Sequence, residues 1–316
     1  MKNRNFLFSL IFLMPWTLSC SRATRSKMYT DTPTSGRIAI AVDESFKPLI
    51  DRMLNVFHYT YPDATIDVRY VPEEQAMNDL LFDTIRFAVV GRDLTPYEKY
   101  VFDTMGITPR KAKIAKDALC FIVNRANPDS NFSVEQIKKI FEGEISEWRQ
   151  INPKSKLGRL QVVFDQNRSS NAGMLYRLFI GGNRPFPEWC KAATSNEQVI
   201  EYVKKNRNAI GVIGVGWLSD AEDTTHLRFR HEIRVAGISE DSTDYYQPFQ
   251  AYIATEEYPF VRHIYAISKE ARSGLGAGVM AFMARDKGQR IVLKSGLVPA
   301  TMPVRLVHMR NSHENE

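Results

Sequence analysis

Three cysteines in 316 residues, at positions 20, 120 and 190, leave at most one disulfide, between Cys120 and Cys190, if Cys20 carries lipid, and no two of them have metal-ligand spacing. The six histidines (58, 226, 231, 263, 308 and 313) are scattered, so no metal site is expected. No block of Lys and Arg is dense enough to expect nucleic acid as a partner. A G-x-S-x-G elbow is absent, and no other context supports a nucleophile, which argues against a hydrolase. The run Gly211 to Gly216 (GVIGVG) lacks the Lys-Ser/Thr of a P-loop and follows no strand-to-helix pattern. It reads as close backbone packing at a strand end, and no cofactor is expected. Internal repeats and low-complexity tracts are missing. Beyond the N-terminus no apolar run approaches the ~20 residues that span ~30 Å of hydrocarbon.

What is present starts at that N-terminus. Lys2 and Arg4 precede an apolar run, Phe6 to Leu18, broken only by Ser9, Pro15 and Thr17; small Ser19 then precedes Cys20. This order predicts a secretion signal over residues 1–19 and a lipid-bearing Cys20. A short uncleaved anchor is the alternative. Either reading places the body outside the cytoplasm, tethered to a membrane. Residues 20–35, rich in Ser, Thr and Arg, predict a flexible tether. Hydrophobic content of 44% and charged content of 25% are ordinary for a globular body. Two of the six net positive charges belong to Lys2 and Arg4, and the rest mildly favour an anionic ligand or surface. Cys120 lies in the apolar run Ala118 to Val123, so Cys120 and Cys190 are expected to be separate thiols.

Strand and helix signals alternate from Gly36 onward. Arg37 to Val42, Thr65 to Val71 and Phe87 to Val90 read as strands, and Phe46 to Tyr61 and Glu74 to Leu81 as helices. Leu119 to Val123, Leu160 to Phe164, Ala209 to Val215 and His263 to Ser268 are further strands. Ser133 to Phe141 is a helix with Ser133 and Gln136 at capping-box spacing. Asn171 to Phe179, Glu197 to Lys205 and Gly276 to Ala284 complete the helices. The alternation predicts an α/β fold with a mostly parallel sheet. In such sheets ligands bind where strand ends meet helix starts. Two junctions fit: Asp43 to Phe46 and Asp165 to Asn171 (DQNRSSN). Spacing alone does not separate a ligand loop from a capping loop.

Several motifs, in order, resemble the phosphate-binding proteins of bacterial ABC phosphate transporters, within the periplasmic binding protein superfamily. They are Ala118 to Ile151 (strand, Asn-Pro turn, helix, then "IF.G.I..W"), Ala209 to Val215, the Tyr258-Pro259, Arg262, Tyr265 element, and Phe282, Gly288, Gln289, Gly296, Leu297 and Pro299. The resemblance spans about Gly36 to Pro303. It implies a two-lobe (type II) fold with the ligand cleft between lobes: residues 36–116 and 239–305 in lobe 1, 117–238 in lobe 2, and 306–316 a tail. It also implies a solute-binding lipoprotein, not an enzyme, that is monomeric and delivers phosphate or a related oxyanion to an ABC permease. By position the ligand residues are Ser45, Phe46, Arg92, Asp165, Asn167, Ser169, Ser170 and Asn171. Three carboxylates stand where the family pattern lacks them: Glu44, Glu74 and Asp165, the last at the Arg position; Gly91 replaces a Ser. A carboxylate ~4 Å from an oxyanion repels it by a few kcal/mol. The alternatives are therefore a diverged binder, of a cationic group for instance, or a ligand-free sensor or assembly protein. Phe141, Trp148, Trp189 and Trp217 are expected in the core, and Phe46, Tyr245 and Tyr246 near the cleft.

Overall fold

The computed structural model describes residues 31–182, 184–218 and 231–304. The predicted signal sequence and Cys20 lie outside them. Strand β1 (Gly36–Asp43) pairs in parallel with β2 (Ala64–Val71) and β3 (Phe87–Val90). Helix α1 (Lys47–Thr60) links the first two, and α2 (Glu73–Leu81) returns the chain to β3. In α1, Leu49, Ile50, Met53, Leu54 and Phe57 are buried. That is the i, i+3, i+4 stripe expected of a helix lying on a sheet. Pro48 sits in its first turn, where the missing N–H removes no helical bond.

The strand predicted at Leu119 to Val123 is the end of a much longer one, β4 (Arg110–Asn124). Its first half interleaves exposed Arg110 and Lys111 with buried Ile114 and Ala115. The charges hid the strand signal there. Through Ala118, β4 pairs antiparallel with β11 (Val261–Ser268). From Leu119 on it pairs antiparallel with β8 (Ala209–Gly214) and β9 (Ile233–Val235). Beyond β8 lie β6 (Gln161–Phe164) and β7 (Cys190–Ala192), both parallel to their neighbours.

One lobe thus holds β2-β1-β3-β11 and the other β8-β6-β7, with β4 running through both. The sheet is mixed, not mostly parallel. Strands β3 and β4, linked by the helix Pro96–Thr104, run parallel with β11 inserted between them, and every antiparallel pair of the sheet involves β4 or β11. A separate two-stranded pair joins β5 (Asn131–Ser133) to β10 (Gly237–Ser239).

Helix α4 (Val134–Glu142) carries the predicted capping box. Ser133 Oγ accepts from Gln136 N (3.1 Å), and Gln136 Oε1 accepts from Ser133 N (2.9 Å). Trp148 is fully buried and donates to Asn208 O (3.0 Å). Phe141, Phe179, Phe164 and Phe186 form an aromatic cluster in the same lobe. Asp31, which the sequence reading places in the tether, is half-buried, while Thr32 to Thr34 are exposed. The Asp31 carboxylate accepts from Leu275 N (2.9 Å) and pairs with Arg272. Cys120 is buried and Cys190 half-buried, and burial pushes the Cys190 thiol up to about 12.

Candidate functional site in the interlobe cleft

Both predicted junctions lie at the C-terminal ends of parallel strands. At the end of β1 the chain makes a single 3-10 turn, Glu44–Phe46, capped by Asp43, whose Oδ1 accepts from Ser45 N (2.8 Å). At the end of β6, Asp165 leads into a loop that Ser169 closes. Ser169 Oγ accepts from Ala172 N (3.1 Å) and caps helix α6 (Ser170–Leu175). Helix α7 (Asn196–Lys205) starts beside it. Arg262 of β11 and its ladder partner Asp117 of β4 approach from below.

The polar groups converge, but their partners are the chain's own carboxylates. Asp43 Oδ2 accepts from Ser170 N (2.8 Å), and Asp43 Oδ1 from Ser170 Oγ (3.1 Å). Asp165 accepts from Ser45 Oγ (2.9 Å), Ser169 Oγ, Asn171 Nδ2 (3.1 Å) and Asn196 Nδ2 (3.2 Å). Glu44 Oε2 accepts from Asn196 Nδ2 (2.6 Å) and Asn196 N (3.2 Å). Arg262 donates to Asp117 Oδ2 through Nε (2.9 Å) and Nη2 (2.7 Å), and to Ser170 Oγ through Nη1 (2.9 Å). Its guanidinium lies 4.8 Å from the centre of the Phe46 ring. Trp217 Nε1 donates to Ser45 O (3.0 Å). Most of these bonds cross from one lobe to the other, so the cluster is also the seam between them.

Burial of carboxyl groups disfavours their charged forms. Burial, and then the Asp165 charge, push the Glu44 carboxyl up to about 7 against the pull of Asn196. Burial and the neighbouring Asp43 raise Asp165, against the donors Ser169 and Ser45. Burial raises Glu73 as well.

Of the predicted ligand residues, Ser45, Phe46, Asp165, Ser169, Ser170 and Asn171 meet in this cluster. Arg92 does not join it. Its guanidinium is held by Glu73 (Nε–Oε1, 3.0 Å) and by both oxygens of Glu98 (2.8 Å each). Asn167 is exposed and lines, with Arg92, Arg168, Ser169, Tyr176 and Arg177, a chamber of about 690 Å³ at the cleft mouth. Of the acidic substitutions, Glu74 turns outward to Arg168 (2.9 Å), while Glu44 and Asp165 stay inside. Tyr245 and Tyr246 lie elsewhere: Tyr246 exchanges backbone bonds with Ile238 of β10 and meets the Tyr252 ring edge-on. Aromatic character alone did not predict their place.

Sequence reasoning placed Asp43 in the first junction but not among the ligand residues, and missed Asn196 and Asp117 as members of the site. Arg262 stood in a recognised motif but without a role. Asn196 had one available signal, as a capping-type residue at a helix start. Gly91 has no room for the Ser of the family pattern. A Cβ there would lie 2.8 Å from Ser170 Cβ and 3.2 Å from the Phe46 ring. Gly91→Ser is therefore expected to cost about 1–3 kcal/mol by overpacking, read as a lower denaturant midpoint, with Gly91→Ala nearer the lower bound. Gly214 is similar: a Cβ would meet Arg262 Nη2 at 3.0 Å and Ser45 O at 3.3 Å. Close packing at this strand end thus accounts for part of the glycine run.

Comparison with known proteins bears on this geometry. The model of the PBP superfamily domain matches residues 28–287. The phosphate-binding protein PstS of Bacillus subtilis is 21% identical over 311 residues, covering 95% of each chain. An ABC-type phosphate transport receptor from Vibrio cholerae superposes with a TM-score of 0.63 at 20% identity, over 84% of this chain and 100% of that one. A phosphate-binding protein from Stenotrophomonas maltophilia gives 0.64 at 14%, over 84% and 91%. Those two structures share the fold, and the family match covers most of the chain: the protein belongs to the PBP superfamily.

Proposed function

We propose that this protein is an extracytoplasmic solute-binding protein that takes phosphate or a related oxyanion and presents it to an ABC-type permease. One observation carries the reading. Where the two lobes meet, two backbone N–H groups and a serine hydroxyl, itself held by Arg262, converge on a single anion, the Asp43 carboxylate. Donors aimed at one buried point from both lobes are what a closing oxyanion site requires. The relatives named for phosphate binding point the same way. The role is binding, not turnover. Residues 1–20 would export the chain and tether it as a lipoprotein, and the body would act as a monomer. A cationic solute is the second reading, favoured by the buried Glu44 and Asp165.

Calorimetry and thermal shift with phosphate, sulfate, molybdate and a set of amines separate the two. At 100 times its dissociation constant an oxyanion should add ~2.7 kcal/mol of stability, and amines none. Heat and stabilisation from amines alone would reverse the assignment. For the tether, Cys20→Ala should abolish fatty-acid labelling, and unchanged labelling would remove Cys20 as the acceptor.

A further inference from the structure

We infer that Asp43 is a built-in occupant of the oxyanion position, so that solute binding is an exchange of its carboxylate for the charge of the solute. This rests on the oxyanion reading above and specifies what sets its affinity. Asp43 is fully buried at the end of β1. Its carboxylate takes Ser45 N from its own lobe, and Ser170 N and Oγ from the other. The Ser170 hydroxyl accepts from Arg262 and donates to Asp43, so it relays the cation's pull onto the carboxylate. A tetrahedral oxyanion would need the same three donors.

The charge balance forbids both at once. Even with Glu44 and Asp165 protonated, the buried Asp43 and Asp117 carboxylates outnumber Arg262, the one guanidinium bonded into the cluster, which already pairs with Asp117. Arg92 is held by Glu73 and Glu98 and has no bond to the cluster. An arriving anion would add to an existing excess of negative charge unless Asp43 left the donors. The site also retains a buried acceptor, Asn171 Oδ1, without a partner among the described residues. It could receive a hydroxyl from a protonated oxyanion, which the Asp43 carboxylate cannot offer.

The test compares wild type with Asp43→Asn, which keeps the shape and removes the charge, and Asp43→Ala, which empties the position. Phosphate and sulfate are titrated calorimetrically, and folding is checked by circular dichroism. Affinity for phosphate should rise at least tenfold in Asp43→Ala, and for sulfate likewise, because the gain comes from charge and from vacated donors. The same variant should melt below wild type and be restored by formate, acetate or phosphate, but not by chloride at equal ionic strength. If Asp43→Ala is recovered only unfolded, refolding in formate against chloride reads the same rescue. Wild type that binds phosphate while the variants bind it equally or more weakly overturns the exchange and leaves the oxyanion reading intact. No oxyanion heat and no anion-specific rescue in any of the three proteins removes both.

Discussion

Arg262→Met should lower the stability of the fold by about 3–5 kcal/mol, the usual penalty for stranding one partner of a buried ion pair. Arg262 and Asp117 are both almost fully buried, and three guanidinium N–H bonds hold Asp117 and Ser170. Removing the cation leaves the buried Asp117 carboxylate without its counter-charge. The measurement is the denaturant midpoint at constant slope, since a changed slope would report a change in the unfolded state. Arg262→Met with Asp117→Leu should recover much of the loss, because an apolar pair carries no desolvation cost. A single substitution costing less than about 1 kcal/mol would show that this pair does not hold the cleft floor. The pair lies on the rung of β4 just before its partner changes from β11 to β8. It therefore joins the strand common to both lobes to the seam between them.

The second large expectation is a fall in stability as pH rises from about 4.5 to 7. Glu44 sits near 7 in the folded protein because burial and Asp165 disfavour its charge. In the unfolded chain its ordinary value is ~4.3. Between these values the folded state holds a proton that the unfolded state has released. Stabilisation is then complete below the unfolded value and is lost as pH climbs through the folded one, by up to about 1.4 kcal/mol per pH unit per group. Asp165 is raised in the same direction and adds to the slope. Carboxylates whose values are lowered, Asp93 and Glu98 among them, act with opposite sign but at more acid pH. Denaturation midpoints measured from pH 4.5 to 7.5 should decline for wild type, and Glu44→Gln should flatten the profile. A wild-type midpoint that rises over this interval would mean that the cluster does not store protons.

The two expectations describe one region from two sides. The cleft is cross-linked by groups that elsewhere would attract a solute, and its charge excess is kept tolerable by retained protons and by Arg262. A solute able to break the Asp43 bonds would have to return comparable bonds to Ser45 and Ser170. On the proposed exchange, affinity and lobe closure would be coupled, because the donors come from both lobes. The chamber at the mouth, lined by Arg168, Arg177 and Tyr176, gives access to Ser169 and Glu73 without crossing the core.

The amino-acid sequence by itself determined the elements that depend on local pattern. The apolar stripe of α1, the Ser133–Gln136 capping box and the β-branched runs at Arg37 to Val42 and Phe87 to Val90 each specify their structure within a few residues. The two strand-to-helix junctions were legible for the same reason; the six residues that meet there, Phe46 among them, were assigned through the family resemblance and not by local pattern. Only the tertiary structure decided what those residues bind to. Asp43 and Ser170 are 127 residues apart, Glu44 and Asn196 152, and Asp117 and Arg262 145. No periodicity encodes which carboxylate accepts from which hydroxyl across such distances. The place of Arg92 was likewise set by its neighbours: Glu98, fixed by the Thr95 cap, and Glu73, in the first turn of α2, together hold it away from the cluster. The mixed sheet has the same origin. Strand propensity is local, but direction and partner are set by how the chain returns, and β4 changes partner midway because two separate lobes meet along it.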